Sequence, residues 1–147
     1  MSTYSFLEVN ASLVGPGGTV NLGSGSGAAE EGITIEPTED INNMAVGADG
    51  SVMHSLHANK SGVVTVRLLK TSPVNEKLSQ MYAFQTALPA NHGQNTVVIS
   101  NARTGDVITC QLVAFKKAPS LTFAKDGGTN DWSFDAGIID RALGGNA

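Results

Sequence analysis

The sequence predicts a mainly β fold: an antiparallel β-sandwich or barrel with one flanking α-helix and a projecting hairpin arm. Three observations carry that prediction. Alternation of apolar and polar residues recurs in roughly eight short runs. Only one stretch has helical periodicity. The runs are separated by turns rich in Gly, Asn and Asp, not by the helical crossovers that parallel strands require. A chain of 147 residues suits a single domain around one core, spanning 1–147, and no internal repeat divides it.

The first run, "SFLEVNASLVG", places Leu7, Val9, Ala11 and Leu13 on one face and Phe6, Glu8, Asn10 and Ser12 on the other. "GPGG" turns the chain into the short strand "TVNL", and a Gly/Ser segment at 23–27 follows. "ITIEPTED" alternates through Ile33 and Ile35 until Pro37 interrupts it, which marks an edge. "NNMAV" and "SVMHSLH" flank "GADG", whose Asp-Gly pair suits the positive-φ positions of a tight hairpin turn. The arm is expected at about 38–60. "SGVVTVRLLK" is the strongest strand, with Val64, Val66 and Leu68 opposite Thr65 and Arg67.

The helix is expected at about 73–87. Ser72 is its N-cap and Pro73 its first helical residue; Val74, Leu78, Met81 and Tyr82 share one face, and Pro89 lies beyond the end. That apolar stripe should cover a sheet or barrel opening. Four further strands are expected in "NTVVIS", "DVITCQLVAFKK", "LTFA" and "NDWSFDAGII".

Composition narrows the function. Charged residues are only 15% of the chain, which leaves little repulsion to keep copies apart. Nine Lys and Arg against thirteen Asp and Glu, with 5% aromatics, disfavour tight DNA binding. The charge is split: residues 1–59 carry seven acids and no Lys or Arg, while the remainder carries the nine bases and six acids, so the halves are −7 and +3 within the net −4. Such halves either pair within the chain or meet head to tail between copies. No apolar run is long enough for a membrane span and no signal peptide is apparent, so a reducing, cytosol-like compartment is expected and the "NAS" and "NKS" sequons are chance matches. The single cysteine, Cys110, sits in a strand pattern as a core residue.

Catalytic patterns are weak. "GPGGT" and "GSGSG" lack the Gly-Lys-Ser/Thr of a phosphate loop and read better as turns and linkers. His54 and His57 near Asp49 superficially offer metal ligands, but residues three apart on a strand point to opposite faces. No serine elbow is present, and Glu30–Glu31 and Glu39–Asp40 diverge as neighbours in extended chain. No catalytic residue, cofactor or metal is therefore expected. A small metal-dependent enzyme using His54, His57 and Asp49 ranks low, as does a carbohydrate-binding sandwich, which would need an aromatic platform.

"TYSFLEVNASLVGPGG", "GADGSVMHSLHANKSGVVTVRLLKTSPVN", "GQNTVVISN", "GDVITC" and "LTFAKDGGTNDWSFD" resemble the tail tube proteins of contractile, myovirus-type bacteriophage tails. The resemblance covers nearly the whole chain in order. It implies a structural virion protein, synthesised in the host cytoplasm, whose hexameric rings share one continuous barrel and stack into an inner tube. It implies a sheath protein around that tube and baseplate and tail terminator proteins as partners. DNA would pass through the lumen without specific binding, and the chain would not itself enter a membrane. Under this reading the arm reaches into the adjacent ring; from the split charge, Lys60, Arg67 and Lys70 would meet Glu39, Asp40 or Asp49 there, with His54 and His57 in the same interface. Some of Glu8, Glu30, Glu31 and Glu36 would line or rim the lumen. A tail terminator, a baseplate ring, or the tube of a bacterial contractile injection or secretion system are the alternatives.

Overall fold

A computed structural model describes residues 9–23, 28–101, 104–121, 123 and 128–143. Seven strands form one antiparallel sheet in the order β2-β1-β7-β8-β9-β6-β3: β1 Val9–Gly15, β2 Gly18–Asn21, β3 Ala28–Pro37, β6 Gly62–Leu69, β7 Asn95–Asn101, β8 Asp106–Lys117 and β9 Thr129–Ala142. β4 Asn42–Val46 and β5 Val52–Leu56 form a separate two-stranded hairpin. Helix α1 spans Val74–Ala87, and a 3-10 turn at Pro89–Asn91 follows it. The mainly antiparallel β class with one helix is thus observed. The first residues of the expected opening strand, Glu8 among them, lie outside the described residues, as do residues 24–27 of the Gly/Ser segment.

Alternation explains the main ladder. β6 buries Val64, Val66 and Leu68 and turns Thr65 and Arg67 outward; β9 buries Trp132, Phe134 and Ala136 and turns Asp131, Ser133 and Asp135 outward. Because directly opposed residues of an antiparallel pair share a face, the register Val64↔Phe134 and Val66↔Trp132 lays these apolar sets side by side. Residues from both ends of the sheet, Val20 of β2 and Val64 of β6, join a single core cluster, so the sheet curls around its contents. β8 contributes through a bulge: Leu112 has φ 54° and is exposed, and the buried set shifts from Cys110 to Val113 across it. Cys110 is fully buried, and desolvation, only partly opposed by Arg141, holds its thiol above the ordinary range.

The helix packs its apolar face into the same core. Pro73 has helical dihedrals (φ −66°, ψ −16°) and the Val74 amide donates to Ser72 Oγ at 3.3 Å, so Ser72 occupies the N-cap role expected of it. Asn75 pins this end: it accepts from the Trp132 indole N–H at 3.0 Å and donates to the Leu69 and Ser72 carbonyls. Val74, Leu78 and Met81 are buried as expected, and the Tyr82 ring meets Phe115 edge-on at 5.6 Å. The stripe continues through a residue that periodicity of apolar side chains does not reveal. Gln85 is 0% exposed and exchanges two 2.7 Å hydrogen bonds with the equally buried Asn95, while donating to Pro16 O and leaving Asn95 to donate to Val113 O. All four bonds satisfy amides that would otherwise be costly to bury.

Of the expected strand "LTFA", Thr122 and Ala124 lie outside the described residues. Leu121 and Phe123 of "LTFA" belong to no strand and are 63% and 85% exposed, and Lys70 Nζ sits 4.0 Å above the Phe123 ring.

Candidate assembly interface

Between β3 and β6 the chain leaves the sheet as the expected arm. Thr38 N donates to Ser61 O at 3.0 Å and Ser61 Oγ to Thr38 Oγ1 at 3.2 Å, which closes the neck. Asn59 Oδ1 accepts from both Ser61 N and Ser61 Oγ, and its Nδ2 donates to Glu39 at 3.0 Å. His57 N donates to Ile41 O at 2.7 Å, and the β4–β5 ladder then runs from Asn42↔Leu56 to Val46↔Val52.

The connecting loop is longer than the expected tight turn. Gly47 N donates to Ser51 O at 2.7 Å, so residues 47–51 form the tip, and Gly50 alone takes the positive φ, 88°. Asp49 stays in the ordinary region and uses its side chain: Oδ1 accepts from Ser51 Oγ at 2.6 Å and Ser51 N at 2.9 Å. These bonds, the hydroxyl's first, hold its carboxyl below the usual carboxylate value.

Register places Met44, Val46, Val52, His54 and Leu56 on one face of the arm, with Ala45 and Met53 on the other. The large apolar residues on both faces are exposed, Leu56 at 82%. A two-stranded hairpin alone in water is marginal, so an apolar arm of this kind calls for a covering surface. At its root lies a cleft of about 300 Å³ floored by Pro37, Ile41 and Ile139 and rimmed by Glu39, Lys60, Asp140 and Arg141.

The charged residues singled out from sequence fall in two groups. Glu39, Asp40, Asp49, His54, His57 and Lys60 are exposed on the arm and its neck. His54 Nδ1 accepts from Asn42 Nδ2 at 3.2 Å. Arg67 and Lys70 lie on and just past β6, and Arg67 already has a partner within the chain: Nε and Nη2 donate to the two oxygens of Asp131 at 2.7 and 2.9 Å. Lys60 lies 3.6 Å from Asp140, both well exposed. Sequence could not pair Arg67 with a residue 64 positions away. Of the lumen candidates, Glu36 is exposed on β3; Glu8 and the side chains of Glu30 and Glu31 lie outside the described residues. Asp49 at the tip, His54 mid-strand and His57 at the base are strung along the arm, and among the described residues no cluster of His, Cys, Asp or Glu could hold a metal.

The family model described as the bacteriophage PhiTE tail tube protein matches residues 1–144. This chain belongs to that tail tube family. Its role is accordingly that of a structural component of the phage tail. Solved structures share the fold. A PVC extracellular contractile injection system sheath–tube complex in the extended state aligns with TM-score 0.59 at 11% identity, over 96% of this chain and 92% of that one. The same system's sheath/tube terminator aligns with TM-score 0.57 at 13% identity, over 97% and 98%. The tube-terminating cap of the anti-feeding prophage aligns with TM-score 0.57 at 11% identity, over 97% and 93%. At such identities the likeness is one of fold. Among curated proteins no relative matches at the level of sequence.

Proposed function

We propose that copies of this tail tube family member close into hexameric rings that stack as the inner tube of a contractile tail. DNA passes down the bore during sheath contraction, a sheath protein surrounds the tube, and baseplate and tail terminator proteins close its ends. The observation that carries this reading is the exposed, two-faced apolar arm: its stability and solubility both improve when a neighbouring copy covers it. The role is mechanical, and no bond is made or broken.

Between rings, the acids Glu39, Asp40 and Asp49 of the arm face bases of the next ring. Lys60 and Lys70 suit that role. Arg67 enters it only by sharing its carboxylate partner, since a bidentate Arg–carboxylate pair is not given up without cost. His54 and His57 lie in the same contact, and exposed Glu36 contributes negative charge towards the bore, where carboxylates do not retain a polyanion. Repetition of modest contacts along the tube gives it rigidity.

The fold shared with injection-system cap and terminator proteins supports a second reading, a single terminating ring or an injection-machine tube. Negative-stain electron microscopy with light scattering on the purified protein separates these. Hollow tubes lengthening with concentration are expected; single rings favour the terminator reading, and a monomer at every concentration overturns ring assembly.

A further inference from the structure

We propose that neighbouring copies in a ring join edge to edge through β3 of one copy and residues 114–117 of β8 of the next, with Glu36 facing Lys117 across the seam. The proposal rests on the ring reading above and names the two surfaces that make the ring.

Among the described residues, β3 and one end of β8 present open backbone edges on opposite sides of the run β3-β6-β9-β8. β3 is terminal in the sheet and pairs only with β6. β8 pairs with β9 from Val107 to Lys117, but its pairing with β7 ends at Asn95↔Val113, so residues 114–117 have a strand on one side only. A ring needs such a pair of unlike surfaces on opposite sides of each copy.

Strand direction selects this pair. Every neighbouring pair of strands is antiparallel, so β3, β6, β9 and β8 alternate in sense and β3 runs opposite to β8. Rotation about a ring axis leaves the sense of a strand along that axis unchanged. β3 laid beside the next copy's β8 therefore continues the antiparallel pattern. β2, the other terminal strand, runs in the same sense as β3 by the same alternation, so a β3–β2 junction would insert a parallel pair into an otherwise antiparallel sheet. β2 is also only four residues long.

Register and charge agree with direction. Glu36 is level with Val63, Val63 with Asp135, and Asp135 with Ala114; Thr34 is likewise level with Thr65, Ser133 and Lys117. With no offset along the strands, Glu36 of one copy falls beside Ala114 of the next and Thr34 beside Lys117, so Glu36 and Lys117 are diagonal neighbours on the same face, within reach of long side chains. An even offset, as barrel tilt demands, preserves that face. The other face of β3 carries Ile33 and Ile35, half-buried against the core and left to be covered. The acidic first half of the chain thus meets the basic second half between copies, and Pro37, which lacks an N–H, sits at the end of the joining strand.

The test uses disulfide capture and charge exchange in the full chain, with circular dichroism verifying that each variant is folded. Thr34→Cys combined with Lys117→Cys, or the one-step offset Glu36→Cys with Lys117→Cys, should give on oxidation a ladder of linked copies ending at the ring number; Thr34→Cys with Asn21→Cys should give none. Buried Cys110 stays out of the exchange. Glu36→Lys should lower ring formation about tenfold or more through like-charge contact, and adding Lys117→Glu should restore it. Wild-type rings with no ladder from any β8 pair, or with a ladder from the β2 pair, overturn the seam and leave the tube reading standing. A wild-type protein that never forms rings overturns both.

Discussion

β5 and β6 are consecutive strands with closely similar apolar content, and they have opposite fates. In "VMHSL" the apolar residues are exposed; in "GVVTVRLL" Val64, Val66 and Leu68 are fully buried. β6 lies between β3 and β9 over the aromatic cluster of Phe115, Trp132 and Phe134, whereas β5 has only β4. The same letters thus serve a core completed within the chain and an exposed surface that, in the proposed assembly, another copy completes. Alternation reports that a strand will be covered, but not by which molecule.

Deleting the support of β6 should have the largest effect. Phe134→Ala, at the cross-strand partner of Val64, is expected to lower monomer stability by about 3–5 kcal/mol in urea unfolding, as large-to-small core changes do. The arm should behave in the opposite way. Met44→Ser with Leu56→Ser should leave monomer unfolding within about 0.5 kcal/mol of wild type. The same pair should raise the concentration needed for tubes by about tenfold or more, because burying each large apolar side chain is worth about 1.5–3 kcal/mol. Equal losses in both assays would erase the contrast.

The smallest effect sharpens the arm's local order. Asp49 is held below its ordinary value by the Ser51 hydroxyl and amide, so its stabilisation of the tip is complete above the usual Asp range and disappears as pH falls through the lowered value. The Ser51 amide resonance should follow that titration, and Asp49→Ala should show the acid-form signal at neutral pH.

Most elements were legible where one residue's surroundings are set by close neighbours in the chain. The Ser72–Pro73 cap, the alternation of β1, β6 and β9, and the Gly-rich hairpin all belong to this class. What remained hidden depends on distant chain. The order that inserts β7 between β1 and β8, the Arg67–Asp131 pair and the burial of Gln85 each need a partner that pattern cannot locate. The same holds for the bulge at Leu112, an unremarkable letter in an unbroken apolar run. In the candidate assembly interface the hairpin arm was legible from its turn, but the state of its charged candidates was not: Arg67 is already committed inside the chain.

The Gln85–Asn95 exchange also limits how the chain can change over generations. A Cβ at Gly15 would overlap the Asn95 amide oxygen, and that oxygen's orientation depends on Gln85. Positions 15, 85 and 95 therefore form a unit whose members, drawn from a strand end, a helix and a strand start, are free to diverge together but not singly. Homologues that lose one amide should have lost the other and regained a side chain at position 15, and a collection of related sequences would carry this as a three-way correlation.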